Sequence, residues 1–198
     1  MAEEIVAVKE TVQAKNPDKP VVFKLWFMDE SRFGLKTILR RRITAQGVKP
    51  VMRIQDAYEN LYVFGAFAPA DGSNVLWEMP FLNGQTFEQF LTAMSADPQA
   101  AEAHNIMIVD NAGAHHGKKL TTPSNISLLF LPAYSPELNP AERVWQYMKE
   151  RFAGKTFADI DALSAYIKQV VDGLSNDIIL SLTSPDWVMS IVHAQSLT

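Results

Sequence analysis

The segment Val21-Val22-Phe23-Lys24-Leu25-Trp26-Phe27-Met28 is almost unbroken in β-branched and aromatic side chains, and it runs straight into Asp29-Glu30. A strand with that pattern is apolar to both sides, so it must be covered on both faces. Two shorter runs repeat the arrangement: Ile106-Met107-Ile108-Val109 ends at Asp110-Asn111, and Ile126-Ser127-Leu128-Leu129-Phe130-Leu131 ends at Pro132. Phe33 to Ile43, Leu61 to Phe67 and Asn74 to Phe81 predict further strands, separated by turn-forming stretches such as Pro69-Ala70-Asp71-Gly72, and these should make a meander.

Helical periodicity fills the rest. Residues 1–14 predict a short helix stopped by Asn16-Pro17-Asp18-Lys19-Pro20. Thr86, with Gln89 three residues on, has the pattern of a capping box opening a helix that buries Phe87, Phe90, Leu91 and Met94. Pro140 at a first helical position starts another, with Val144, Trp145, Met148 and Phe152 on one side, and a last one runs from about Asp159 to Leu174. Residues 183–198 carry no assignable pattern. Strands first, then a strand–helix alternation, predict an α/β fold: a mixed sheet, antiparallel meander plus parallel strands, with helices on both faces. The expected units are an N-terminal helix and linker over 1–20, a domain over 21–175, and a tail or helix over 176–198 that packs on it.

Composition narrows the function. Of 198 residues none is Cys, which excludes a disulfide framework, a thiolate zinc site and a cysteine nucleophile, and fits a reducing compartment. No apolar run approaches the roughly 18 residues that span a bilayer, and Met1-Ala2-Glu3-Glu4 lacks the basic start of a signal peptide, so no membrane partner and a cytoplasmic location are expected. The net charge of −4 argues against a generic nucleic-acid coat. Against that sum, Lys36, Arg40, Arg41, Arg42, Lys49 and Arg53 form a basic stripe with no acid between them.

In α/β sheets reactive groups gather at strand ends. Asp29 and Asp110 stand there, and Glu142 lies in the first turn of the helix after Pro140. Three carboxylates brought together would repel one another unless cations joined them, and hard divalent ions take oxygen ligands. Each acid also has a structural explanation: Asp29 and Asp110 as turn residues, and Glu142 as an N3 residue reaching back to cap a helix whose N-cap is Asn139. On a helical wheel Glu142 lies about 105° from the centre of the Val144/Trp145/Met148/Phe152 stripe, at the edge of the core. Lys149 lies on its side of the helix. His115 and His116, in a loop beside Lys118 and Lys119, read as exposed or phosphate-contacting residues, with no HExxH spacing to make them metal ligands. The phosphate-loop signatures and the GxSxG elbow are absent.

Three blocks then resemble, in order, the signatures of the mariner-related insertion-sequence transposases, whose active site is of the DDE type. They are Phe27-Met28-Asp29-Glu30-Ser31-Arg32-Phe33-Gly34, then Ile108-Val109-Asp110-Asn111-Ala112 with His115, then the long string from Leu131-Pro132-Ala133-Tyr134-Ser135-Pro136 through Leu138-Asn139-Pro140-Ala141-Glu142 to Trp145. The third is the most specific, and together they cover about residues 20–155. The interval from Asp110 to Glu142, 142 − 110 = 32, is compatible with the family's second-to-third acid spacing. The resemblance implies a ribonuclease H-like fold with Asp29, Asp110 and Glu142 as catalytic and metal-binding acids for Mg²⁺, with Mn²⁺ as substitute and two ions in all. It implies cleavage at transposon ends by water, then joining of the freed 3′-hydroxyl to target DNA, commonly at TA.

The partners it implies are the terminal repeats and target DNA, with a homodimer assembled on them near the nucleoid. Arg40, Arg41, Arg42, His115, Lys118, Lys119 and Lys149 are the expected DNA contacts. The family carries helix-turn-helix units ahead of the catalytic part; here about 20 residues precede the first strand, so the chain is expected to be a catalytic core or a truncated gene product. Arg41-Arg42-Ile43 stands where the family often has an Arg-Trp pair, and Ala141 where it often has Ile. Two other readings stay open: a catalytically inactive DNA-binding or dimerisation module derived from a transposase, and a ribonuclease H-like nuclease acting on RNA–DNA hybrids.

Overall fold

A computed structural model describes residues 1–39, 44–47, 49, 51, 53–116 and 120–196. Its centre is a five-stranded sheet in the order β3-β2-β1-β4-β5, built from β1 (Phe23–Gly34), β2 (Asn60–Phe67), β3 (Asn74–Met79), β4 (His104–Val109) and β5 (Ile126–Phe130). The first three strands are the antiparallel meander; β4 and β5 join parallel to β1. Eleven-residue to thirteen-residue helices cover both faces, together with one shorter helix: α1 (Ala2–Ala14), α2 (Gly84–Ala96), α3 (Ala141–Phe152), α4 (Ile160–Asp172), α5 (Asn176–Thr183) and α6 (Asp186–Ser196).

Alternation along β1 explains the cover. Trp26 and Met28 point to the α2 side, where Phe64, Phe87, Phe90, Leu91 and Met94 complete a buried cluster. Phe27 points the other way, against Ile5 of α1 and Val188 of α6, and Phe33 joins Val63, Phe67, Trp145, Met148 and Leu163 under α3 and α4. Residues one apart therefore feed different cores, as the unbroken apolar run requires.

Several boundaries differ from expectation. No separate strand spans 33–43: β1 continues unbroken through both acids to Gly34, because β2 pairs with it from Phe27↔Phe67 to Gly34↔Asn60, and residues 40–43 lie outside the described set. The capping box of α2 is made by Asn83 and Thr86, not by Thr86 and Gln89. The Asn83 side chain accepts from the Thr86 N–H at 3.0 Å while the Thr86 hydroxyl accepts from the Asn83 N–H at 3.1 Å, so the helix begins three residues early. α3 begins at Ala141 with Pro140 as its N-cap, one residue later than the Asn139 assignment. The unassigned stretch 183–198 holds the end of α5 and all of α6. Among the described residues, no helix is long and apolar enough to cross a membrane.

Gly65 shows how tightly α3 sits on the sheet. It pairs with Asp29, and a Cβ added there would lie 2.7 Å from both Trp145 Cη2 and Phe67 Cζ, closer than packed atoms approach. The glycine is thus the floor on which the Trp145 indole lies. Gly65→Ala is expected to cost about 1–3 kcal/mol by overpacking and to shift Trp145 emission; urea denaturation at wild-type stability would show that the indole is not pressed onto this strand.

Candidate active site

The parallel ladder between β1 and β4 ends at Phe27↔Ile108, whereas β1 goes on with β2. Continuing that register by two residues brings Asp29 level with Asp110, the first residue after β4. Glu142 comes to the same place from α3, and all three acids line one cavity of about 400 Å³. Among the described residues no Lys or Arg lines it.

Two side chains of the α3 region tie Glu142 to Asp29. Buried Asn139 donates from Nδ2 to the Met28 carbonyl at 2.9 Å and accepts the Ala141 N–H on Oδ1 at 3.1 Å, so one amide joins β1 to the start of the helix. Trp145 donates from Nε1 to Asp29 Oδ2 at 2.9 Å. Since Glu142 and Trp145 are three apart on α3, they lie along one helix surface, and an indole on Asp29 brings Glu142 beside it. The capping role considered for Glu142 is ruled out: the N-cap is Pro140, which has no N–H to receive the reach-back.

The acids act on one another. Burial raises Asp29, and the negative charges of Glu142, Glu30 and Asp110 raise it further, to about 7, against the usual 3.8. Like charges pressed together around a partly buried carboxylate, all of it oxygen donors, are the setting that a hard divalent cation relieves. Asp29, Asp110 and Glu142 therefore fit such an ion as donors. Among the described residues, no three Asp, Glu or His side chains are yet drawn close enough to ligate one ion.

His115 is not the exposed loop residue expected. It is 1% exposed, in a short 3₁₀ turn (Gly113–His116) packed by the Phe87 ring 4.4 Å away. Its Nε2 faces Glu30 Oε1 at 2.9 Å and its Nδ1 faces Asp110 Oδ1 at 2.8 Å. Burial pushes the imidazole down, but the hydrogen bonds it donates to Asp110 and Glu30 and the charge of Glu30 overcome this and hold it up at about 10. A ring so buried presents no edge to a DNA phosphate.

Of the other expected DNA contacts, Arg40, Arg41, Arg42, Lys118 and Lys119 lie outside the described residues. Lys149 is half-buried on α3, seven residues beyond Glu142, and it does not line the cavity. Lys36, at the head of the basic stripe, pairs with Asp56 at 2.9 Å on the surface. Sequence reading missed four contributors. Trp145 looked like core only, Asn139 like a cap only, Glu30 was a neighbour of Asp29 without a role, and Tyr134 had none outside its motif. Tyr134 lines the cavity mouth fully exposed with φ 59°, a left-handed conformation that costs a non-glycine residue roughly 1–2 kcal/mol.

The family profile described as DDE superfamily endonuclease matches residues 24–164, well over half of the chain. The uncharacterized protein y4pE/y4sA of Sinorhizobium fredii (strain NBRC 101917 / NGR234) is 38% identical over 101 residues, 50% of this chain and 74% of that protein. Among solved structures, the catalytic domain of Mos1 mariner transposase superposes with a TM-score of 0.57 at 13% identity, covering 92% of this chain and 86% of that one. The Mos1 mariner paired end complex with Mn gives a TM-score of 0.60 at 14% identity, over 88% of this chain. The chain spans only 56% of the Mos1 chain in that complex. The mixed sheet flanked by helices is thus the ribonuclease H-like fold of these catalytic domains.

The imidazole carries a pH signature. Because its folded value lies above the ordinary 6.5, the His115 contacts contribute stability in full below pH 6.5 and lose it as pH rises towards about 10. In chelator-treated protein the melting temperature should therefore fall over that interval, and less steeply in His115→Asn. Parallel melting curves for the two proteins would remove His115 as the titrating group.

Proposed function

The chain belongs to the DDE superfamily of endonucleases, and on that premise we propose that it is the catalytic core of a mariner-related transposase. Its substrate is DNA: phosphodiesters at the ends of a mobile element are cut by water, and the freed 3′-hydroxyl is joined to target DNA. The observation that carries this reading is the single cavity lined by Asp29, Asp110 and Glu142, with Asp29 raised by burial and by the neighbouring negative charges and no basic side chain among the described residues lining it.

Asp29 and Asp110 would hold the divalent ions, two of Mg²⁺ or Mn²⁺, and Glu142 would complete one of them. Bound there, such ions supply an activated water and positive charge for the departing oxygen. The chain's own residues prepare that chemistry. Trp145 keeps Asp29 turned towards α3, and Asn139 keeps the start of α3 against β1, so the three carboxylates reach the cavity from separate elements. Were bound ions to supply the nucleophile, no histidine or serine base would be required, which suits a site whose nearby histidine is engaged on both nitrogens.

The DNA backbone would run over the cavity mouth, where Tyr134 and Ser135 lie, with Lys149 and the cations of the segments 36–53 and 118–119 as phosphate contacts. Terminal repeats would be recognised by portions of a longer protein, two protomers would pair two ends, and the work would take place on the nucleoid in the cytoplasm.

One observation favours a second reading, a catalytically silent DNA-binding or dimerisation module: among the described residues no three ligating groups have converged. Calorimetric titration of Mn²⁺ separates the two. For an active core, Mn²⁺ binds the wild-type chain and Asp110→Ala removes that binding, while alanine at Asp29, Asp110 or Glu142 reduces Mn²⁺-dependent nicking of transposon-end DNA to background. Wild-type protein that takes up no Mn²⁺, or nicking that survives all three substitutions, refutes the catalytic reading. Preference for an RNA–DNA hybrid over duplex DNA in the same assay would identify a ribonuclease H-like nuclease instead.

A further inference from the structure

We propose that Glu30 and His115 act as a clamp that sets the direction of the Asp110 carboxylate, so that two residues outside the acid triad govern how tightly the cavity takes a divalent ion. The inference rests on the metal-dependent reading of the cavity given above.

The ladder between β1 and β4 ends before Asp110. It stops at Phe27↔Ile108, and Asp110 follows the last residue of β4 with its carboxylate about half exposed to solvent. Side chains take over the link between the strands. Glu30 is the residue after Asp29 in β1, so it points to the opposite face of the sheet from Asp29. On that face His115 bridges it to Asp110, with Nε2 to Glu30 Oε1 at 2.9 Å and Nδ1 to Asp110 Oδ1 at 2.8 Å. The same Nδ1 lies 3.0 Å from the Asp110 carbonyl oxygen, and the Ala112 N–H donates to the same Oδ1 at 2.9 Å. One carboxylate oxygen is thus anchored by two donors, which fixes the plane of the group.

The anchor itself is rigid. The side chain of His115 is 0% exposed and that of Glu30 is 5% exposed, and the Phe87 ring of α2 closes over the imidazole. Both ring nitrogens face carboxylate oxygens, so both carry protons in the clamped state and the ring has no second orientation that satisfies them. Partners of this kind behind a metal-ligating group orient it, and their loss typically weakens metal binding by about 10–100-fold. Glu30 and His115 are positioning residues; neither lines the cavity.

The test uses the whole chain, with Mn²⁺ as the probe. Calorimetry would compare wild type with Glu30→Ala, Glu30→Gln and His115→Ala, with far-ultraviolet circular dichroism confirming that each is folded. Metal-free crystal structures of wild type and Glu30→Ala would show the Asp110 carboxylate. The expected result is a loss of about 10–100-fold in Mn²⁺ affinity for Glu30→Ala and His115→Ala. Glu30→Gln, whose amide oxygen accepts the same Nε2 proton, should stay close to wild type, a rescue that mere loss of charge near the site does not produce. Wild-type affinity in Glu30→Ala, or Glu30→Gln as weak as Glu30→Ala, overturns the clamp. If the wild-type protein binds no Mn²⁺, it is the metal reading of the cavity that fails, and the crystal structures then decide alone. An Asp110 carboxylate turned away in Glu30→Ala upholds the clamp, and one left in place overturns it. If Glu30→Ala does not fold, Glu30→Gln and His115→Ala carry the same comparison.

Discussion

β1 has two partners of opposite sense, and the cavity exists because the two pairings stop at different residues. The parallel ladder with β4 covers Phe23 to Phe27; the antiparallel ladder with β2 runs from Phe27 to Gly34. From Met28 onward one edge of β1 has no strand beside it among the described residues, so a crevice opens at the carboxyl end of β4. Side chains fill that edge. The Met28 carbonyl, the first beyond the parallel ladder, is taken by Asn139, and the Glu30 side chain is taken by His115. The sheet and the site are consequently held by one continuous set of contacts.

Electrostatics gives that arrangement its tension. Four carboxylates, those of Asp29, Glu30, Asp110 and Glu142, act on one another near the end of β4. The protein offsets this unevenly. Glu30 receives a buried imidazolium on the α2 side, while Asp29, on the α3 side, receives the neutral indole of Trp145 and a backbone N–H of Glu30. The uncompensated charge is therefore concentrated on the face that opens to solvent, where a mobile cation can reach it and where Tyr134 stands in a strained backbone conformation. Sites that store unfavourable terms of this kind depend on the rest of the fold to hold them, and here the large apolar clusters on both faces of β1 do so.

The arrangement of strands and helices was legible because it follows from pattern. A two-sided apolar run demands cover on both faces, and the long Leu131 to Trp145 string marked the third acid. The same pattern hid the boundaries. Phe33 looked like the start of a new strand because Asp29 and Glu30 looked like the end of the old one; nothing local signals that β2 continues the pairing past them. Glu142 looked like a capping residue until Pro140 proved to be the N-cap, a shift of one position that removes the N–H it would have met. His115 was read by its basic neighbours at Lys118 and Lys119. Its actual environment is set by Glu30, 85 residues away, and by the Phe87 ring, neither of which sequence spacing reveals. Dual roles were invisible for the same reason: Trp145 fills the core with its ring and serves Asp29 with its single N–H.

Asp29 and Glu30 are chemically similar neighbours on opposite faces, while Trp26, Phe27 and Met28 before them are all large, apolar and fully buried. A strand buried on both faces is indifferent to which apolar side chain points which way, so the hydrophobic pattern of β1 specifies its register weakly. Loss of one residue between Phe23 and Met28 would set the longer Glu30 carboxylate before Trp145 and Ser31 before His115, whereas gain of one would set Met28 before Trp145 and the shorter Asp29 carboxylate before His115. A single-codon insertion or deletion in this strand would thus part each acid from its partner while leaving the apolar run around Trp26, Phe27 and Met28 continuous.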